Sequence, residues 1–368
     1  MEKVAIKNII SAIENFAPPA YQDSWDNSGL LVGDANCIIE SALVTIDVTE
    51  AVVDEAIVKG CGLIIAHHPV IFSGLKRLTG KSENERVVIK AIKNNIAIYA
   101  AHTNIDVVRQ GVSWRMAQKL GLDKIQTLIP QKALLKKLVT FVPFDDAVKV
   151  RKALFDAGAG HIGNYDMCSF NSTGEGSFRG NDSTNPYKGK KGKLHFENEV
   201  RIETVFPAFI QNRIVDTLLT THPYEEVAYD IYSLENEHQG VGLGIIGSLP
   251  EAEDCLAFLK RVKDVFSCQV IRHTPIVSDK IEKIAMVGGA GSSFLKSAIA
   301  QKADMFITAD FKYHQFFDAE NKIVIADIGH YESEQFTKEL FYEIVTNKFS
   351  KFALRLSEVV TNPINYLF

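Results

Sequence analysis

The chain has 368 residues, of which 46% are hydrophobic and 23% charged, with a formal net charge of −5. That length exceeds one ordinary core and predicts two or three domains of a soluble globular protein. The acidic balance argues against a basic nucleic-acid surface, since the one dense basic run, Lys188 to Lys193, lies in a polar loop and reads as a solvated hairpin tip. No window is long or apolar enough to span a bilayer, and the N-terminal stretch MEKVAIKNIISAIENF mixes charges into a helical pattern without a signal sequence. Five scattered cysteines without a CxxC pair fit a cytoplasmic protein whose thiols are small core residues, and they argue against a thiolate zinc site.

In chain order, Val4 to Phe16 predicts a helix with Ile6, Ile9, Ile10 and Ile13 on one face. Pro18 to Asp34 reads as a loop in which Trp25, Asp26 and Asn27 serve turns and packing or shape the edge of a pocket. From Ala42 the pattern is strand, helix, strand: ALVTIDVT, EAVVDEAIVKG, CGLIIAHHP. A second crossover, with its helix near Asn84 to Asn94, leads to a strand at Ile96 to Tyr99 and then to AHTNID. The polar stretch Ser73 to Glu85 reads as a surface loop or as a lid over the histidines before it.

Lys136 to Leu234 changes character. Its order β-α-β-β-α-β is that of a ferredoxin-like fold and predicts an inserted domain. In the last third, Lys283 to His314 lays over Ser41 to Phe72 without a gap at a constant shift of 242, and Asn321 to Glu334 resembles Asn94 to Asp106. The expected fold class is therefore α/β: duplicated α/β halves, residues 1–130 and 241–368, the second packing on the first to form one metal-binding domain. A ferredoxin-like α+β insert, residues 131–240, interrupts them.

The candidate chemistry begins at His67 and His68, where a buried strand ends at Pro69 and delivers both side chains to a sheet rim. Alone, the pair reads equally well as loop histidines or as metal ligands. His102 and Asp106 are spaced i, i+4, as are His330 and Glu334, which puts each pair on one helix face. One His-x-x-x-carboxylate is commonly a solvated surface pair; two at matching points of a duplicated unit carry more weight. Imidazole with carboxylate suits Zn, Fe, Mn, Co or Ni. The assigned ligands are His67, His68, Asp106, His330 and Glu334, with His102 behind them, as an occasional ligand, or as an acid–base group. Five side chains leave coordination positions open, as a catalytic site does. Two ions would activate water for hydrolysis, and storage or sensing of metal is the rival reading. The run GGAGSS offers Gly288, Gly289, Gly291 and Ser292 as a turn for a substrate anion, or simply as tight strand–helix packing. Asp310 and His314 could support the ligands; capping and a surface position are their plainer readings.

Taken in order, WDNSGLLVGD, LIIAHHPVIF, AHTNID, GGAGSS, TADFKYHQ and DIGHYESE resemble the Nif-three-like family, whose members carry the name GTP cyclohydrolase I type 2 homologue. Ser28 stands where that family commonly has valine. The resemblance covers roughly the first and last thirds, and THPYEEVAYDIY is similar to the PII- and CutA-like insert of the long form. It implies a dinuclear centre on His67, His68, Asp106, His330 and Glu334 with two divalent ions per chain, zinc foremost. It also implies a toroidal homohexamer whose metal sites face an internal cavity. The expected function is metal-dependent hydrolysis of a nucleotide or other phosphate-bearing substrate, GTP if the family name is informative. The partners would be other copies of the chain and a small anionic substrate, without nucleic acid or membrane. The alternative is a non-catalytic regulatory or metal-handling protein.

Overall fold

The computed structural model describes residues 2–367, the side chain of Gln239 apart. The chain divides into two compact units, Pro130–Gly240 and the remainder on either side of it. The larger unit is built on two sheets whose central strands are uninterrupted apolar runs. Ser41–Thr45, Leu63–Ala66 and Ala97–Ala100 are buried throughout, the pattern expected of parallel strands covered on both faces. They run parallel, with Ala42 opposite Leu63 and Leu63 opposite Ala97. Ala353–Leu356 and Gly29–Val32 complete the sheet at its two edges. The second sheet is centred on Lys280–Ala290, Met305–Ala309 and Val324–Asp327, again parallel, with Ile284 opposite Met305 and Met305 opposite Val324. His238–Asp254, Asp123–Gln131 and Arg272–His273 extend it to six strands.

Local signals account for the helices around the first sheet. Glu50–Val58 starts at Thr49, whose side chain accepts from the Val52 amide; Glu83–Lys93 starts at Ser82, which accepts from the Glu85 amide. The latter helix has Glu83 and Glu85 in its first turn and Lys90 and Lys93 in its last, signs that suit the helix dipole. Ile6–Phe16 buries Ile6, Ile9, Ile10 and Ile13 in a core shared with Leu340, Phe341 and Val345 of helix Thr337–Lys348. Cys61, Cys255 and Cys268 are buried, Cys168 is half-buried and Cys37 is exposed. Among the described residues no helix is long and apolar enough to cross a membrane.

Three boundaries differ from the sequence reading. The first helix begins at Ile6 because Val4–Ala5 pairs with Ile38–Ile39 as a small two-stranded sheet. Gly29–Val32, read as loop, is an antiparallel edge strand on Ala97–Ala100; four residues are too few for an alternation to announce it. Gly288 to Ala290 continue a strand and do not turn, so the turn proper starts at Gly291.

In the central unit the order is strand, helix, strand, strand, helix, strand: Leu135–Pro143, Ala147–Asp156, Phe170–Phe178, His195–Pro207, Gln211–Thr221 and Tyr229–Leu234. The spatial order of its antiparallel sheet is fourth, first, third, second strand. Val150 and Leu154 of one helix, and Ile214 and Leu218 of the other, pack on Leu138, Val142, Val200, Ile202 and Phe206 of the sheet. These sheet residues share one face, leaving the other to Phe141, Glu199 and Arg201.

Candidate metal centre

The strand Leu63–Ala66 ends with its last pleat broken. The amides of His67 and His68 both donate to the carbonyl of Ile46, at 3.1 and 2.9 Å. Successive side chains of a strand would diverge; here the two rings lie 4.8 Å apart, with His67 fully buried. The next strand, Ala97–Ala100, leads into the helix Thr103–Val107, which His102 precedes and which carries Asp106. From the second sheet, Val324–Asp327 leads into the short helix His330–Glu334. Its i, i+4 spacing brings His330 Nε2 to 3.1 Å from Glu334 Oε2.

All four histidines are anchored in the same way. Nδ1–H donates to the Ala101 carbonyl from His67 at 3.0 Å, to Asp47 from His68 at 2.7 Å, to Asp26 from His102 at 2.8 Å, and to Asp310 from His330 at 2.7 Å. A carbonyl or carboxylate oxygen only accepts, so Nδ1 carries a proton and Nε2 is the atom left for a metal. This is how proteins orient imidazole toward a metal. His68 Nε2 lies 3.0 Å and His67 Nε2 3.6 Å from Glu334 Oε2, while His67 Nε2 lies 3.7 Å from Asp106 Oδ1. Among the described residues, His67 Nε2, Asp106 Oδ1 and Glu334 Oε2 are buried without a hydrogen bond of good geometry. Such orphaned atoms are costly unless a cation sits among them. His67, His68 and Glu334 alone bring three ligand atoms within 4.8 Å of one another.

The electrostatics of this cluster follow from crowding charge into a buried space. Burial would raise Glu334, yet the imidazoles of His67, His330 and His68 hold its carboxyl well below the usual range. Asp106 is pushed up to about 8 by burial and by the charge of Glu334. Burial opposes the charged form of His68, but the carboxylates of Asp47 and Glu334 carry it to about 10; Asp310 and Glu334 carry His330 to about 11 in the same way. Without a metal, protons therefore supply the positive charge that the carboxylates require.

Glycine makes room for this packing. Gly289, at φ +64°, faces Glu334 so closely that a Cβ would stand 2.3 Å from Oε1 and 3.2 Å from His330 Cε1. The amides of Gly288 and Gly289 donate to the hydroxyls of Ser113 and Ser333, at 3.2 and 2.9 Å. Of the anion turn expected from Gly288, Gly289, Gly291 and Ser292, the amides of Gly288 and Gly289 are spent inside the protein, which favours the tight-packing reading for those two. A Cβ at Gly291 would meet Thr308 Oγ1 at 2.1 Å, and Ser292 Oγ accepts from Gln315. The run is a packing device beneath the helix that carries Glu334.

The structure thus brings together His67, His68, His102, Asp106, His330 and Glu334, with Asp310 behind His330. It does not add His314, whose ring is exposed and contacts Tyr313 and Phe317. Asp47 was not read from the sequence at all; the end of a buried strand beside the histidine strand was its one signal. Asp26, read as a turn and packing residue or as the edge of a pocket, accepts from His102, from Ser28 Oγ and from both the amide and hydroxyl of Thr103. Its carboxyl sits below the ordinary range because His102 and Thr103 outweigh its burial. The indole of Trp25 and the ring of Phe72, both more than half exposed, stand 6.0 and 6.5 Å from His102.

A mixed α/β scaffold with a buried histidine and glutamate group that could hold a metal ion is the class these observations define. Comparison with known proteins narrows it. The model of the Duf34/NIF3 (NGG1p interacting factor 3) family matches residues 4–363, and the chain belongs to that family. A GTP cyclohydrolase 1 type 2 homologue of Halalkalibacterium halodurans is 40% identical over 366 residues, spanning 98% of each chain. A Bacillus subtilis protein of the same name is 39% identical over 367 residues, also spanning 98% of each. The crystal structure of a Bacillus cereus protein related to NIF3 superposes with a TM-score of 0.85 at 40% identity, over 98% of this chain and 99% of that one.

Proposed function

We propose that the protein is a metal-dependent hydrolase with two divalent ions per chain, acting on a nucleotide or another phosphate-bearing substrate. The observation that carries this reading is the convergence of two buried, orphaned ligand atoms, on His67 and Asp106, with the buried Glu334 carboxylate, at which His68 and His330 are aimed from 3.0 and 3.1 Å. Glu334 Oε2 lies within reach of three imidazoles, so Glu334 with His67, His68, His330 and Asp106 would hold the ions. When bound, a pair of divalent ions supplies Lewis acidity and an acidified water.

The chain's own residues do the remaining work. Asp106 and Glu334 balance the positive charge, while Asp47 and Asp310 fix the direction of His68 and His330. His102, held by Asp26, is the group placed to take or return a proton at the reacting atoms. The exposed rings of Trp25 and Phe72 beside it offer a planar substrate a stacking surface. The name borne by the relatives supports GTP as the first substrate to try.

We further read the large unit as two duplicated halves, because in both sheets the first two central strands start in the same register under the shift of 242, from Ala42 opposite Leu63 to Val44 opposite Ile65 and from Ile284 opposite Met305 to Met286 opposite Ile307, before the second sheet shifts register. The strand order of the central unit supports a ferredoxin-like, PII-type insert. The family resemblance supports a homohexamer, and five scattered cysteines without a CxxC pair support a cytoplasmic protein. The test is metal content by elemental analysis of wild type and His330→Ala, with a screen of nucleotides and phosphoesters on both. About two metals per chain, with turnover lost in the variant, is the expected result, and light scattering of the same sample should give six times the chain mass. Metal without turnover would favour the regulatory or metal-handling reading, and a chain that cannot be loaded would sink both.

A further inference from the structure

The central unit holds a cavity of its own, about 530 Å³ in volume, within the range of small-molecule sites. It lies wholly inside Pro130–Gly240 and does not depend on the metal-centre reading. Its floor is the sheet face that the two helices leave uncovered, where Gly174 stands opposite Glu199. The edge strand there reads FNSTGEGSF, with Gly174 and Gly176 two apart and therefore on one face. Two glycines in one strand forfeit packing and backbone order, and in strands such residues often mark a close approach by a ligand or another chain.

The two glycines make different room. A Cβ at Gly176 would meet the Glu199 carboxylate at 2.3 Å, so this glycine seats the carboxylate. A Cβ at Gly174 would meet nothing within 4 Å, and the space before it is the cavity itself. Tyr224 donates its hydroxyl proton to Glu199 Oε1 at 2.9 Å and fixes the carboxylate at the wall. Around it stand aromatic rings: Phe178 lies 5.7 Å and Tyr187 6.3 Å from Tyr224. An ionised carboxylate can only accept, so the complementary ligand brings donors; the rings favour a flat, polarisable partner.

We propose that this cavity binds a planar nitrogen heterocycle presenting adjacent N–H donors, a guanine-type base edge, with Glu199 receiving the donors and the tyrosines flanking the ring. Guanosine and inosine are the probes, since they differ by the exocyclic amino group. Titration calorimetry on the full chain should show guanosine binding about tenfold tighter than inosine, the worth of one hydrogen bond to a charged group. Glu199→Gln should bring guanosine down to the inosine level. Gly174→Leu places a side chain in open space at a backbone conformation outside the left-handed region. It should abolish binding of both nucleosides while leaving the circular dichroism melt unchanged. The proposal is overturned if the wild type shows no saturable guanosine binding, if it binds both nucleosides equally, or if Gly174→Leu binds as well as wild type. A Gly174→Leu chain that changes oligomeric state, beside a wild type that ignores both nucleosides, would instead mark this face as an interface between copies.

Discussion

The histidines at the centre divide their two nitrogens between direction and charge. Because Asp47 and Asp310 hold Nδ1 while Glu334 faces Nε2, His68 and His330 stay protonated to about 10 and about 11 in the metal-free chain. Both values are raised above the ordinary histidine value of about 6.5. The stabilisation is therefore complete below that value and lost as pH rises through the folded ones. A divalent ion entering at pH 7 must displace these protons. Asp106, pushed up to about 8, holds a proton at pH 7 as well, so zinc titrations in buffers of different ionisation enthalpy should show about three protons released per chain, with affinity increasing as pH rises; loading with no proton release would refute the protonated cluster. His102, Asp106, His330 and Glu334 are legible in the sequence because their i, i+4 spacing recurs at matching strand ends, and His67 and His68 because Pro69 stops a buried strand beside them. Asp26 and Asp47 are not, because each acquires its role from a histidine 76 or 21 residues away, a distance at which no local pattern survives.

Among elements, the contact that matters most is helix His330–Glu334 lying on strand Lys280–Ala290, where Gly289 gives the closest approach to Glu334. Gly289→Ala must force a Cβ into Glu334 at a left-handed φ that side chains resist. Metal affinity should fall about 10- to 100-fold, the range for removing a residue that orients a ligand; elemental analysis after dialysis at fixed free zinc would read it. Unchanged affinity would mean that helix and strand can separate at no cost to the site. The central strands are legible because buried parallel strands are unbroken apolar runs, and their helices because Thr49, Ser82 and the isoleucine face of Ile6–Phe16 announce them. The edge strand Gly29–Val32 and the paired residues Val4–Ala5 are set by tertiary partners, which a window of neighbours does not contain.

At the scale of the molecule, the chain leaves for the central unit from Asp123–Gln131 and returns on His238–Asp254, which are neighbours in one sheet. A short Gly/Ser linker can join neighbouring strands, and each unit has its own core. Replacing residues 130–240 with such a linker should leave a folded protein with the metal content of the full chain; loss of metal would show that the central unit supports the site. The ligands themselves are scattered across the large unit, from His67 to Glu334, and Thr361 closes the circle by donating to Asp47 at 2.6 Å. Synthesis therefore imposes an order in time. The nascent chain can fold its central unit early, but the carboxylate that His67, His68 and His330 face does not exist until residue 334 has been made. A metal site of this composition must then wait for Glu334, and a product terminated before that residue would carry His67 and His68 without the carboxylate that joins them.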